Sequence, residues 1–258
     1  MELPRRLKVM EKVPMLALLG AMRQETAGLR RRMALEEDYS QQGCRVYRGQ
    51  HENREVLLVQ TGIGKKKAER ATGLVLERYP ITTLVSLGFG GALTDEAKAG
   101  DIILCSTLYE ERGSEGPCYS DANLVSLAAQ ALESVEVRLL QGDSVTVARP
   151  VSEPTAKQVL GKTFSAKVVD MESYWIGRIA SAKQVPFIAV RAISDTAADS
   201  LPSLDRFLDS NGTWRRKRAA LYFLFRPHQL MKLCRFYRNA RKASNNLSYF
   251  VARLVPKL

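Results

Sequence analysis

Residues 84–91 read Leu-Val-Ser-Leu-Gly-Phe-Gly-Gly, an apolar run that stops in glycines. Leu84 to Leu87 has the length and composition of a buried strand, and the glycines predict a tight turn that lets backbone amides approach a ligand. The same arrangement recurs at Leu19-Gly20, after a strand over Val13 to Leu19, and at Thr61-Gly62-Ile63-Gly64, after a strand over Glu55 to Gln60. Further strands are expected at Arg45 to Arg48, Asp101 to Ser106, Val135 to Leu140, Lys167 to Asp170 and Phe187 to Ala192. Helical patterns lie between them at Glu25 to Leu35, Lys66 to Arg78, Asn123 to Leu132, Thr155 to Leu160 and Ser173 to Gln184. Strands that alternate with helices define an α/β domain, and in open α/β sheets ligands gather at the carboxyl ends of strands. The glycine turns therefore nominate one site.

The chain has 258 residues, 45% of them hydrophobic, which is enough for one large core and excludes a disordered protein. Its formal charge of +12 is unevenly placed. Thr213 to Leu258 holds 12 Lys and Arg and no Asp or Glu, so the first 212 residues are formally neutral. Four separated cysteines (Cys44, Cys105, Cys118, Cys234) and two histidines (His51, His228) offer neither a Cys/His metal site nor a His-dependent triad, and reduced cytosolic thiols are the expectation. The run Val13 to Leu19 is too short to span a membrane and is flanked by Glu11, so it reads as a first strand rather than a signal segment.

Gly62-Ile63-Gly64-Lys65 matches neither the phosphate loop GxxxxGK[ST] nor GxGxxG, which removes support for nucleoside triphosphate or dinucleotide binding. A helix that begins near Lys65 can still offer its first amides to an anion. Two strands end in acids: Val168-Val169-Asp170-Met171-Glu172 and Ala189-Val190-Arg191-Ala192-Ile193-Ser194-Asp195. Acids held at the ligand crevice bind hydroxyls or carry protons, or else serve as helix caps; the residues alone leave both readings open.

Taken in order, Gly20-Ala21-Met22-Arg23-Gln24-Glu25, Thr61-Gly62-Ile63-Gly64-Lys65, Gly88-Phe89-Gly90-Gly91-Ala92-Leu93 with Ala99-Gly100-Asp101-Ile102, Asp170-Met171-Glu172-Ser173 and Arg191-Ala192-Ile193-Ser194-Asp195 resemble the nucleoside phosphorylases and the methylthioadenosine/S-adenosylhomocysteine nucleosidases. The resemblance covers about residues 13 to 200 and implies a single-domain, three-layer α/β fold with a twisted mixed central sheet flanked by helices. It also implies cleavage of the N-glycosidic bond of a purine nucleoside. Pro150-Val151-Ser152, Asp195-Thr196-Ala197-Ala198 to Leu201-Pro202, and the basic tail with Arg226-Pro227 look most like the hopanoid-associated phosphorylases, whose implied reaction releases adenine from adenosylhopane. The alternatives are a methylthioadenosine/S-adenosylhomocysteine-type nucleosidase, another purine nucleoside phosphorylase, or a binding protein that kept the fold and lost turnover. Retention of Glu25, Glu172 and Asp195 together argues against the last.

The resemblance also assigns roles. Cleavage gives an oxocarbenium-like sugar and a poor leaving group, so the base must gain a proton while the sugar cation is stabilised. Asp195 is implied as the general acid at purine N7, with Ser194 orienting it, and Glu172 as the ligand of the ribose 2′ and 3′ hydroxyls. Met171 would pack beneath the sugar or belong simply to the core. Gly90 lies in the turn beside the substrate, and Val145 and Thr146 align with nucleobase-packing positions, although phenylalanine is usual at the former. Glu25 matches the residue that activates water, which favours hydrolysis, since a glutamate there repels a phosphate dianion. Phe89 stands where relatives often carry serine, which weakens a phosphate site. Gly20, Arg23, Thr61 and Gly62, with Lys65, remain the candidates for phosphate or anion binding, and the two cations read equally as solvated surface charge. No metal or cofactor is implied beyond water or inorganic phosphate as co-substrate. A homo-oligomer is implied, with its symmetry open.

Residues 1–212 are thus read as the catalytic domain and 213–258 as a basic helical extension with helices over Trp214 to Phe225 and Pro227 to Ser244. On the second helix, Lys232, Arg235, Arg238 and Lys242 form one stripe and Leu230, Leu233, Tyr237 and Ala240 another. Eight of the 19 aromatics lie in the extension. A basic face opposite an apolar one suits an anionic membrane surface, and so a cytoplasmic enzyme peripheral at the inner face of the membrane that takes a small-molecule or lipid-linked purine nucleoside. The same pattern also fits a helix packed on its own domain or on a second subunit. Nucleic-acid binding is disfavoured, because no recognised module accompanies the charges.

Overall fold

Met15–Gly20 (MLALLG) forms strand β1, and all six residues are buried because the strand runs through the middle of the sheet, parallel to a neighbour on each side. The computed structural model describes residues 13–113, 115–131, 137–201 and 227–258. After β1 come α1 (Arg23–Arg30), β2 (Ala34–Gln41), β3 (Cys44–His51), β4 (Arg54–Gln60), α2 (Lys65–Arg78), β5 (Ile81–Ala92), β6 (Ile102–Glu110) and β7 (Cys118–Tyr119). Then follow α3 (Ala122–Gln130), β8 (Leu139–Thr146), α4 (Pro154–Phe164), β9 (Val168–Asp170), α5 (Ser173–Ala182), β10 (Phe187–Asp195) and α6 (Pro227–Leu254).

The sheet is mixed. The strand order is β10-β6-β8-β9-β5-β1-β4-β3-β2, and β10 also pairs with β5, so β10, β6, β8, β9 and β5 close into a ring from which β1, β4, β3 and β2 extend. Alternate residues of β1 serve two cores. Met15, Ala17 and Leu19 face a cluster with Ala71 and Val75 of α2 and Ile176 and Ala180 of α5. Leu16 and Leu18 face the opposite cluster, with Leu29 of α1, Leu124 and Ala128 of α3, and Leu247, Phe250 and Val251 of α6. This is a sheet between two helical layers, and the chain forms a single domain. The C-terminal half of α6 belongs to it: Ala243, Leu247, Phe250, Val251 and Leu254, with Val255 just beyond the helix, are all fully buried. At about 1.5–3 kcal/mol per buried large apolar side chain, these contacts hold that half in place.

Several boundaries differ from the sequence reading for identifiable reasons. The turn expected at Gly88-Phe89-Gly90-Gly91 is strand: β5 runs on to Ala92 because β9 and β10 pair with it there. Helix α1 stops at Arg30, and the acid-rich Ala34–Gln41 that follows is an edge strand, β2, paired only with β3 and exposed along most of its length, so no period-2 pattern marks it. Strand β8 overlaps the expected Val135 to Leu140 only at its last two residues and runs through Gly142 and Asp143 to Thr146. Asp143 is tolerated in a strand because its Oδ1 accepts the Thr107 amide (3.0 Å) where the β6–β8 register slips. Helix α4 is longer than Thr155 to Leu160, starting with Pro154 in its first turn and closing on Ser165 in the left-handed region (φ 50°). The expected helix over Trp214 to Phe225 lies outside the described residues. The helix expected from Pro227 to Ser244 continues to Leu254, and Tyr237, assigned to its apolar stripe, is 72% exposed.

Candidate active site

The carboxyl ends of β1, β5, β9 and β10 converge, and the glycines of β5 make room for what converges there. A Cβ on Gly88 would lie 3.1 Å from Glu25 Oε1, one on Gly90 2.3 Å from Val168 Cγ2, and one on Gly91 2.9 Å from Asp195 Oδ2. The glycines that read as a turn are therefore strand positions without side chains, opposite the acids.

Glu25 sits in the first turn of α1 and is buried. Its Oε2 accepts the Met22 amide (2.7 Å) and its Oε1 the Phe89 amide (2.9 Å). Burial raises its pKa, while the Phe89 and Met22 amides and the Arg191 charge pull the other way. Glu172 stands at the N-cap position of α5 without capping it. Asp170 does that instead: its Oδ1 accepts the amides of Glu172 and Ser173 (both 3.1 Å) and the Thr146 hydroxyl (2.8 Å). The Glu172 side chain is left free to cross to α2, where its Oε1 accepts the Gly64 amide (2.8 Å). Its pKa is pushed up to about 8, first by loss of hydration and then by Asp170 and Glu25, against the Gly64 amide and Arg191.

Arg191 anchors the group from below. It is 1% exposed, and it donates from Nε to Asp170 Oδ2 (2.9 Å), from one terminal nitrogen to the Ser86 and Val190 carbonyls and from the other to Ser86 Oγ (2.8 Å). A buried guanidinium among three carboxylates offsets their mutual repulsion. Inside the sequence motif Arg191 read only as a match; its role becomes visible once β10 is seen to be buried throughout.

Asp195 ends β10 and is 4% exposed. Its Oδ1 accepts the Ser194 hydroxyl (2.7 Å), and Ser194 is also within reach of the Gly90 carbonyl (3.3 Å). Its Oδ2 accepts from the buried ammonium of Lys157 on α4 (2.5 Å). Burial raises the pKa of Asp195 although Lys157 and Ser194 pull it down. Nothing local in the sequence marks Lys157, since a lysine in PTAKQVLGKTF reads as solvated.

The structure brings Glu25, Glu172, Gly90, Ser194 and Asp195 to one end of the sheet. Met171 is partly buried and packs with Val145, Val147, Leu160 and Val169, which is core as much as crevice. Val145 is fully enclosed in that cluster, and the Thr146 hydroxyl is committed to Asp170 and to the Tyr174 amide (3.1 Å). Of the anion candidates, Gly20 and Thr61 pair backbone to backbone (2.8 Å), as do Ala21 and Gly62 (3.1 Å), and the Thr61 hydroxyl donates to the Gly62 carbonyl (2.9 Å). Arg23 is exposed, and the Lys65 ammonium lies 3.5 Å from the centre of the Trp175 ring. The α2 N-terminus, whose first amides could be offered to an anion, has its Gly64 amide taken by Glu172. Among the described residues, no group of three or more His, Cys, Asp or Glu is arranged to hold a metal ion.

These acids on this fold define a class. A model of the phosphorylase superfamily matches residues 15–223, and the chain belongs to that superfamily. The 5′-methylthioadenosine/S-adenosylhomocysteine nucleosidase of Bacillus cytotoxicus is 30% identical over 211 residues, which cover 75% of this chain and 91% of that protein. The fold is shared with the crystal structure of the nucleosidase of that name from Neisseria meningitidis in complex with methylthio-immucillin-A (TM-score 0.77, 22% identity, 95% of this chain and 99% of that one). It is shared equally with futalosine hydrolase of Helicobacter pylori (TM-score 0.78, 18% identity, 95% and 99%).

Proposed function

We propose that this protein is an enzyme that cleaves the N-glycosidic bond of a purine nucleoside, with Asp195 as general acid and Glu25 as the base that activates water. The superfamily membership and the nucleosidase relatives support bond cleavage by hydrolysis or phosphorolysis. The observation that carries the assignment of roles is the pairing of two buried acids in different settings. Burial raises the pKa of Asp195, beside Ser194, above that of an exposed aspartate, which suits it to give a proton to the purine. Glu25, raised by burial, is a stronger base than an exposed glutamate. Glu172 would take the ribose hydroxyls and hold the sugar in place.

Water is favoured over phosphate as the attacking group. The amides a phosphate would use are engaged by carboxylates: Gly64 with Glu172, and Met22 and Phe89 with Glu25. A dianion brought there meets two acids.

The substrate we favour is adenosylhopane. The sequence features around Pro150 to Ser152 and Asp195 to Pro202 support it, as does the exposed basic half of α6, with Lys232, Arg238 and Arg241 beside the exposed Met231 and Tyr237. On this reading the enzyme works as a homo-oligomer at the cytoplasmic face of an anionic membrane, where each cation near the surface contributes about 1 kcal/mol. Among the described residues no helix is long and apolar enough to cross a membrane.

Incubation with adenosylhopane, methylthioadenosine and inosine, with and without phosphate, while free base is followed, tests the reaction. Release of adenine from adenosylhopane without phosphate is expected; no release from any substrate removes the enzyme. Sedimentation with anionic liposomes of the full chain and of a Lys232→Glu, Arg238→Glu, Arg241→Glu variant tests the surface, and equal pelleting removes membrane docking.

A further inference from the structure

Lys157 is fully buried, and all three of its donors are used: Asp195 Oδ2 at 2.5 Å, the Thr196 carbonyl at 2.8 Å and the Asp199 carbonyl at 3.0 Å. Packing alone does not ask for this. A methionine or leucine would fill the inner face of α4 without the cost of burying an ammonium, so a lysine there is explained by what it pairs with.

Among the described residues, the polar and charged groups shown facing Asp195 are Ser194 from its own strand, Lys157 from α4 and Asp199 from the turn that follows β10. From β5, the Gly91 backbone lies against it. Asp199 closes the turn by accepting the Thr196 amide (2.9 Å) and hydroxyl (2.8 Å), which aims both carbonyls at the ammonium. From outside, Arg235 of α6 reaches Asp199 Oδ1 (2.9 Å) and Lys232 reaches Ser200 Oγ (2.6 Å).

We propose that Lys157 is a positioning residue for Asp195, holding its carboxyl against the site and stabilising the carboxylate left behind when the proton passes to the substrate base. The inference rests on the reading of Asp195 as general acid. A carboxylic acid in a dry pocket without a counter-charge keeps its proton too firmly to donate it well; an ammonium at hydrogen-bond distance favours the ionised form. The proton moves from Asp195 to a ring nitrogen of the base, the glycosidic electron pair leaves with the base, and the new carboxylate remains paired with Lys157.

The test is the pH dependence of kcat/KM, measured with the nucleoside that releases base in the substrate panel, for the unmodified enzyme and for Lys157→Met, Lys157→Gln and Asp195→Asn. The acid must be protonated to act, so activity falls as pH rises through its pKa. Loss of Lys157 is expected to move that alkaline limb upward by about one to three pH units, the size of the effect of an adjacent opposite charge on an acid. Lys157→Gln, which removes the charge but keeps a polar side chain facing the Thr196 and Asp199 carbonyls, moves the limb the same way. A merely structural role lowers the rate and leaves the limb where it was; an unmoved or downward limb in Lys157→Met overturns the inference. If that variant does not fold, as judged by its circular dichroism melt, the Lys157→Gln profile decides by the same criterion. Wild-type rate in Asp195→Asn removes the general acid itself, whereas a dead Asp195→Asn with an unmoved limb in the other variants removes only the role of Lys157.

Discussion

Glu172 closes the N-terminus of α2: its Oε1 accepts the Gly64 amide at 2.8 Å, across 108 residues of chain. The positive end of a helix that would suit a phosphate is thus filled by the carboxylate assigned to the ribose. Its pKa, pushed up to about 8, has a consequence for stability. The folded state holds a proton that the unfolded state releases near the ordinary glutamate value. Stability from this group is therefore full below about pH 4.5 and is lost as pH rises toward 8. Glu172→Gln cannot titrate, so relative to the parent it should gain stability from pH 5 to pH 8, on the order of a few kcal/mol. Thermal melts of both proteins across that range check this, and parallel curves contradict it.

Asp195→Asn should keep the fold and nucleoside binding while turnover falls by roughly 10²–10⁴-fold, the usual share of general acid catalysis. Single-turnover base release alongside equilibrium binding of adenine separates the two effects, and an active variant excludes Asp195 as the acid.

Gly90→Ala should destabilise the domain by about 1–3 kcal/mol, because its Cβ would fall 2.3 Å from Val168 Cγ2 and 3.2 Å from the Val169 carbonyl on paired β9. A urea midpoint equal to that of the parent would show that β9 yields freely.

Phe250→Ala should cost about 3–5 kcal/mol, since the ring is fully enclosed among α1, α6 and the sheet. In a domain of this size that lowers Tm by roughly 10 °C. A chain cut at Gly212 loses the same contacts and should not fold stably, which is why charge reversal rather than truncation is the test of the basic surface.

What could be read from the sequence follows from what each residue must satisfy locally. The runs at Met15–Gly20 and Phe187–Asp195 are buried on both faces and announce themselves by composition. Asp195 and Glu172 stood out because acids at the ends of such runs need a reason. Strand β2 was invisible because it is exposed along most of its length and Tyr39 alone of its apolar residues packs against the core, and the glycines of β5 misled because a missing side chain serves a turn and a crowded strand equally. Lys157 and Arg191 were hidden for a further reason. Their value lies in partners 38 and 21 residues away, and no local pattern distinguishes a lysine facing water from one facing an aspartate. The apolar stripe read on α6 ended at Ala240 and took in the exposed Tyr237, whereas the buried face lies further on, at Ala243, Leu247, Phe250 and Val251; that this face meets its own domain depended on the whole of the sheet behind it.

The acid-rich strand β2 has one more effect. It is the outer strand of the open end of the sheet, so its unpaired backbone is the natural template for another chain. Glu36, Glu37 and Asp38 line that border, tied to Arg45 and Arg48 of β3. Two copies brought together there would set carboxylate against carboxylate, so a protein whose surplus charge is positive guards this long unpaired border, among the described residues, with negative charge.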